Sequence, residues 1–226
     1  MFNKNSIKKQ VLLFNKKLLN SNLVFKSFGN LSARYLDTFI IKPSGVNLEN
    51  THFSKMCIYK KKNILKPSVD SPIHEEIYKY FKNVNSVVHT HSKFATSFCQ
   101  AGIAIDCLGT THADYFYGKI PIINMPNKKE TFLDFEKNTG KKIVNYFDKK
   151  KIDPEKIKAI LLKGHGVVAW GARQKAAYDM ALIVEHIAEL NFYTLHINNK
   201  SKKIPQYIVD KHFKRKNGKK KYYGQR

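Results

Sequence analysis

The sequence predicts a layered α/β domain, because short apolar runs that suit buried strands alternate with longer amphipathic stretches that suit helices. Hydrophobic residues make up 42% and aromatic residues 12% of the 226 residues, which is enough to bury one sizeable core. The chain shows no internal repeat, linker or change of composition before about residue 200. We therefore expect residues 1–226 to form one domain.

Amphipathic periodicity and capping residues predict five helices, over residues 7–19, 71–81, 92–101, 128–147 and 173–196. The second of these begins with a serine at the cap and a proline in the first turn, at Ser71 and Pro72. The last is the longest, and its apolar residues form one stripe.

Short apolar runs that end in turn residues predict the strands. They are FIIKPSG (39–45), SVVHTH (86–91), KIPIIN (119–124) and AILLKGHGVVAWG (159–171). The last run predicts two strands that meet at Gly164-His165-Gly166.

The chain is strongly basic, with 41 Lys+Arg against 17 Asp+Glu and a formal net charge of +24. Such a charge attracts polyanions, nucleic acids included. However, 37 of these residues are lysine, whereas specific recognition of phosphate and bases favours arginine. There are also 19 asparagines, and A/T-rich codons would raise lysine and asparagine together. We expect no specific nucleic-acid partner, and a general affinity for polyanions stays open.

Three cysteines, Cys57, Cys99 and Cys107, are too few for a disulfide scaffold, and none forms a CxxC metal motif. Reduced thiols and the lack of a signal-like segment favour the cytoplasm. No apolar stretch approaches the roughly 18 residues of a membrane span, so we expect no membrane partner.

Three histidines at predicted strand ends suggest a metal site. His89 and His91 lie at i and i+2 of one strand, so both imidazoles can face one ion. His165 lies between two glycines, which allow a tight turn and a close approach to an ion. Three ligands with an open position are typical of a catalytic divalent metal, most often zinc. The alternative is that His89 and His91 are ordinary hydrogen-bonded strand residues.

Other polar residues lie in loops that suit a site. Asp70 precedes a predicted helix, where it can be a metal ligand, a base or a turn residue. Asp114 lies in GTTHADYFYG (109–118), a loop dense in polar and aromatic groups, where it can be a site residue or an ordinary turn residue. The segments 28–32 (FGNLS) and 42–45 (KPSG) offer backbone N–H groups and hydroxyls that suit an anion such as phosphate.

Taken together, these motifs resemble the class II aldolase/adducin family, and most closely its L-ribulose-5-phosphate 4-epimerase branch. The matching segments are GNLS (29–32), IKPSG (41–45), KPSVDSP (66–72) with His74, VHTHS (88–92), GTTHADYFYG (109–118), GHG with AWG (164–171), and DKH with KYYGQ near the end. They cover almost the whole chain in the family's order. The resemblance implies a three-layer α/β/α fold around a mainly antiparallel sheet.

The resemblance also implies the functional residues. Zinc would be bound by Asp70, His89, His91 and His165. Asp114 and Tyr223 would be the two acid/base residues. His212 matches a family position near the subunit interface, and Glu136 matches one more weakly. Contacts to substrate and phosphate would come from Gly29, Asn30, Lys42, Ser44, Gly45, Ser68, Val69, Thr110 and His212. Family members usually have a serine where this chain has Val69, so we expect one hydroxyl fewer on the phosphate.

The family's sites lie between the subunits of a four-fold homotetramer. The basic segment 201–226 would then complete the neighbouring subunit's site and bring Tyr223 to its zinc. A phosphorylated pentulose would be the substrate, inverted at C4 by cleavage of C3–C4, rotation of glycolaldehyde phosphate and re-addition. Zinc would stabilise the enediolate that forms.

Three alternative functions remain open. A class II aldolase would cleave a deoxy-ketose phosphate such as L-fuculose 1-phosphate, although such aldolases have a glutamate base in place of Asp70. An adducin-like module would keep the fold without metal, which the three histidines argue against. A nucleic-acid binder would use the basic tail, 211–226. The sequence does not distinguish a role in arabinose use from one in ascorbate use.

Overall fold

A computed structural model describes residues 3–218 and residue 222. Its centre is a seven-stranded sheet with the order β3-β2-β1-β4-β7-β6-β5. Only β5 and β6 pair in parallel, and the other neighbouring strands are antiparallel. The strands are β1 (Asn30–Tyr35), β2 (Thr38–Ile41), β3 (Cys57–Ile58), β4 (Ser86–Thr90), β5 (Ile122–Ile123), β6 (Ala159–Leu162) and β7 (Gly166–Gly171).

Helices cover the sheet, which confirms the expected three-layer α/β/α fold with a mainly antiparallel sheet. Every residue of the central strands β4 and β7 is buried, which requires that both faces of the sheet are covered. The helices are α1 (Lys4–Asn20), α2 (Ser71–Tyr80), α3 (Lys93–Ala101), α4 (Thr110–Ala113), α5 (Lys128–Lys149), α6 (Gln174–Ile197) and α7 (Gln206–Asn217), with a 3₁₀ turn at Phe53–Lys55. Helices α1, α3 and α6 pack together and against β1, β4 and β7, whereas α2 and α5 pack on each other.

The five predicted helices are present, and α3 begins directly after its predicted cap, Ser92. The predicted cap of α2 was wrong, because Asp70 is the N-cap and Ser71 is the first helical residue. Helix α5 differs from the prediction because it bends at Asp134, which has non-helical backbone angles. The Asp134 carboxylate accepts a hydrogen bond from the backbone N–H of Lys137 and so starts a new helical segment. Helices α4 and α7 and strands β1 and β3 were not predicted.

The strand directions define two edges of the sheet. We call the edge where β4 ends and β7 begins the histidine edge, since His89, His91 and His165 lie there. We call the edge where β4 begins and β7 ends the opposite edge; there Ser86 pairs with Gly171. The six residues of β7 separate the two edges by about 17 Å at 3.3 Å per residue.

Within the described residues, no helix combines the length and the apolar character needed to cross a lipid bilayer.

Candidate active site

The three histidines predicted as metal ligands converge at the histidine edge. One ligand atom from each of His89, His91 and His165 lies within 4.8 Å of the other two. The Nε2 atoms of His89 and His91 face each other at 2.9 Å. This separation is close to the 3.3 Å or so between two tetrahedral nitrogen ligands bound at 2.0–2.1 Å from a zinc ion. The arrangement therefore suits one small divalent cation.

The histidine rings are held so that ligand atoms point inward. The Nδ1–H of His89 donates to the carbonyl of Val167 at 2.9 Å, which leaves the lone pair of Nε2 for a metal. Phe28 stacks on His91, and Phe135 packs against His165. Burial lowers the pKa of all three imidazoles, to about 4 for His165, so they stay neutral and able to bind metal at neutral pH.

Two glycines permit the close approach of these elements. A Cβ on Gly166 would lie 2.6 Å from the carbonyl oxygen of Thr90 and 3.0 Å from the His91 ring. A Cβ on Gly29 would lie 2.9 Å from the carbonyl oxygen of His89, and Gly29 has a φ of +77°. The lack of a side chain at Gly166 and Gly29 thus lets the backbone of the GHG and FGN segments pack against the end of β4.

Asp70 lies beside the three histidines, at the N-cap of α2. The side-chain amide of Asn30 donates to Asp70 at 2.7 Å and to Ser68 at 3.2 Å, which joins three predicted site residues. Burial alone would raise the pKa of Asp70, but the nearby imidazoles, His89 foremost, and the Asn30 amide hold it below its usual value. Asp70 is therefore an ionised carboxylate near the cluster, although among the described residues the group whose ligand atoms lie within 4.8 Å of one another comprises the three histidines without it.

The two predicted anion-binding loops meet beside Asp70. The backbone N–H of Ser44 donates to Lys66, and that of Ser68 donates to Lys42. Gly45 adopts a positive φ of +66°. Val69 is exposed. Lys42 is only 2% exposed, and its ammonium reaches the carbonyls of Pro43 and Val46 at 3.3 and 3.4 Å.

Asp114, the predicted acid/base residue, lies in a separate cluster. Its carboxylate accepts hydrogen bonds from Arg215 at 2.8 and 3.0 Å and from Nδ1 of His212 at 3.1 Å. Its backbone N–H donates to the carbonyl of Thr110, and its own carbonyl accepts from the side chain of Asn217. We call Asp114, His212, Arg215 and Asn217 the Asp114 cluster.

The Asp114 cluster lies at the opposite edge of the sheet. Asn217 and Phe213 line a cavity together with Gly171, the last residue of β7. Tyr117 packs on Phe213, and its backbone N–H donates to Lys156, just before β6 begins. The length of β7 therefore lies between Asp114 and the three histidines of the same chain.

The structure thus divides the predicted residues between two places. At the histidine edge lie Gly29, Asn30, Lys42, Ser44, Gly45, Ser68, Val69, Asp70, His89, His91 and His165. Glu136 is half-buried on α5, one residue after Phe135. Thr110, Asp114 and His212 lie at the opposite edge. Tyr223 lies outside the described residues.

Sequence reasoning missed Arg215 and Asn217 as members of the Asp114 cluster. Both belong to α7, whose sequence QYIVDKHFKRKN buries only Val209 and Phe213 and so carries little apolar periodicity. The one sequence feature that could have indicated Arg215 is its residue type, because it is one of only four arginines in a chain with 37 lysines.

The comparisons with known proteins agree with this fold. The model of the class II aldolase and adducin N-terminal domain matches residues 9–192, and the chain belongs to this family. A curated relative, a probable L-ribulose-5-phosphate 4-epimerase (UlaF) of Mycoplasma pneumoniae, is 40% identical over 98% of this chain and 95% of its own length.

Solved structures confirm the fold. An L-fuculose 1-phosphate aldolase superposes with a TM-score of 0.77 at 17% identity, covering 95% of this chain and 97% of its own. YgbL of Klebsiella pneumoniae, described as a putative aldolase/epimerase/decarboxylase, superposes with a TM-score of 0.74 at 18% identity, covering 93% and 99%. At such identities the likeness is one of fold alone.

Proposed function

We propose that this protein is a zinc-dependent epimerase that interconverts L-ribulose 5-phosphate and D-xylulose 5-phosphate. The observation that carries the proposal is the cluster of His89, His91 and His165 beside Asp70, in a chain 40% identical to a probable epimerase for this substrate. The reaction breaks C3–C4, turns the glycolaldehyde phosphate fragment and re-forms the bond on its other face. Three free, buried cysteines suit a reducing compartment, and we place the enzyme in the cytoplasm.

The metal would be held by His89, His91 and His165, whose ligand atoms lie close together. Asp70, whose pKa the nearby imidazoles lower, would be a fourth ligand. When bound, the metal supplies Lewis-acid stabilisation of the negative charge that develops on the substrate during cleavage. The Asn30 amide keeps the Asp70 carboxylate oriented toward the histidines.

The phosphate would bind where segments 28–32, 42–45 and 66–69 meet. Backbone N–H groups of Gly29, Gly45 and Val69, with the hydroxyls of Ser44 and Ser68, can donate to it. Lys42 is buried beneath these loops, and its ammonium contributes positive charge to the phosphate site. A firm hold on the phosphate keeps the aldehyde fragment in place while it turns.

Inversion at C4 requires proton transfer on both faces of the aldehyde, and we assign this to Asp114 and Tyr223. Proton transfer needs hydrogen-bond reach, yet the length of β7 lies between Asp114 and the histidines of its own chain. We therefore propose a homotetramer in which one chain supplies the metal and another supplies Asp114, Tyr223, Thr110 and His212. The basic segment 201–226, which includes α7, would complete the neighbouring site.

The test is turnover of L-ribulose 5-phosphate by the purified protein, with and without a chelator. We expect D-xylulose 5-phosphate to form, the activity to disappear on chelation and to return with zinc. Asp114→Asn and Tyr223→Phe should each reduce turnover about 10²- to 10⁴-fold while zinc stays bound. Near-normal turnover by both variants would refute these roles. Cleavage of L-fuculose 1-phosphate in place of epimerisation would favour the aldolase.

A further inference from the structure

We propose that Arg215 is the positioning residue for the acid/base group Asp114, and that it also ties the C-terminal segment to that group. The inference rests on the proposed function and deepens it.

The contact between Arg215 and Asp114 is a two-point one. Nε of Arg215 donates to Oδ1 at 3.0 Å, and a terminal guanidinium nitrogen donates to Oδ2 at 2.8 Å. A planar guanidinium that engages both oxygens fixes the plane of the carboxylate, as a lysine ammonium would not. His212 donates to Oδ1 from one turn earlier on α7. Asp114 is thus held in one orientation by one helix.

Partial burial of the Asp114 cluster strengthens the ion pair between Arg215 and Asp114. The side chains of Asp114 and Arg215 are 10% and 24% exposed, so the pair is screened less than a surface salt bridge. Burial alone would raise the pKa of Asp114, but the hydrogen bonds from Arg215 and His212 outweigh it and lower the pKa. The carboxylate is therefore kept ionised and ready to accept a proton.

Arg215 also contacts the C-terminal segment through its backbone. Its carbonyl accepts a hydrogen bond from the backbone N–H of Tyr222, the residue before Tyr223. One residue thus binds Asp114 with its side chain and residue 222 with its main chain. The basic segment thus contacts an acid/base residue of its own chain, a role distinct from polyanion binding.

The experiment compares Arg215→Gln, Arg215→Lys and the control Arg173→Gln, an exposed arginine at the start of α6. The carboxyl pKa of Asp114 is followed by ¹³C NMR of aspartate-labelled protein, with Asp114→Asn for assignment. We expect Arg215→Gln to raise this pKa by about one unit or more, Arg215→Lys by less, and the control not at all.

Kinetics give a second readout. Because Asp114 must be ionised to accept a proton, we expect the acid limb of kcat to move to higher pH in Arg215→Gln. We expect kcat at neutral pH to fall about 10- to 100-fold with little change in KM and with zinc content unchanged. Arg215→Lys tests the same point if Arg215→Gln does not fold.

An Asp114 pKa and an acid limb that stay at wild-type values in both variants would overturn the inference. If wild-type protein shows no epimerase activity, the proposed function fails. The NMR titration still decides whether Arg215 controls Asp114.

Discussion

Replacement of Gly166 by alanine tests the packing that brings the three histidines together. The new Cβ would lie 2.6 Å from the carbonyl oxygen of Thr90, 3.0 Å from the His91 ring and 3.2 Å from that of His89. Carbon and carbonyl oxygen normally stay about 3.3 Å apart, so β7 and the end of β4 must separate by about 0.7 Å. The methyl group thus forces apart the two strands that carry the ligands.

Overpacking of this kind costs about 1–3 kcal/mol, which corresponds to a fall in Tm of about 2–4 °C per kcal/mol for a chain of this size. Displaced ligands should also weaken zinc binding about 10- to 100-fold. Thermal unfolding of the metal-free protein and zinc titration against a fluorescent chelator measure the two effects. The control is Gly109→Ala, because a Cβ there meets nothing within 4 Å. Wild-type zinc affinity and Tm in Gly166→Ala would refute the reasoning.

Two further predictions concern buried charge. The Nε2–H of His112 donates to the Gly118 carbonyl, and burial lowers the pKa of His112 to about 4, whereas the unfolded chain protonates it near 6.5. The unfolded state therefore binds more protons between these values, and His112 should remove about 1.4 kcal/mol of stability per pH unit as pH falls from 6.5 to 4. Urea unfolding of His112→Gln should show a shallower loss than wild type or the exposed control His186→Gln, and equal slopes would contradict this. Lys42 is a buried cation whose ammonium has only carbonyl partners among the described residues at 3.3–3.4 Å, so Lys42→Met should raise the free energy of unfolding by about 1–3 kcal/mol. The same variant should raise KM about 10-fold or more if the cation serves the phosphate, whereas Lys9→Met on α1 should change neither quantity.

The part of the site that lies on strand ends could be predicted from the sequence. Alternation along a strand places His89 and His91 on one side, and the two glycines around His165 mark a tight turn between strands. Both signals are local, and the structure confirms that the three imidazoles meet. The helices with strong apolar stripes, such as α6, were predicted for the same reason.

Two other features depend on contacts that no local pattern encodes. The contact between Asp114 and Arg215 joins residues 101 positions apart, and α7 shows too few apolar residues to be recognised as a helix. The separation of Asp114 from the histidines follows from the order of strands, with β4 paired between β1 and β7. Sequence motifs alone give no hint that their members lie at opposite edges of the sheet.

The +24 net charge is the sequence feature whose interpretation changes most. Helix α7 carries part of the basic tail, and Arg215 within it binds a carboxylate of its own chain. Among the described residues, the histidine cluster with Asp70 contains no basic residue apart from its histidines, and Lys42 lies buried next to it. The excess of lysine can still attract a doubly charged sugar phosphate by long-range steering.

Subunit complementation tests the central claim most directly, that each site combines the histidines of one chain with Asp114 of another. His165→Asn and Asp114→Asn are each expected to be nearly inactive as pure proteins. When equal amounts are unfolded together and co-assembled, about one quarter of the sites should receive both wild-type parts, so about one quarter of wild-type turnover should return. Full wild-type protein taken through the same treatment is the control. Assembled mixtures with no more activity than either variant alone would contradict the account.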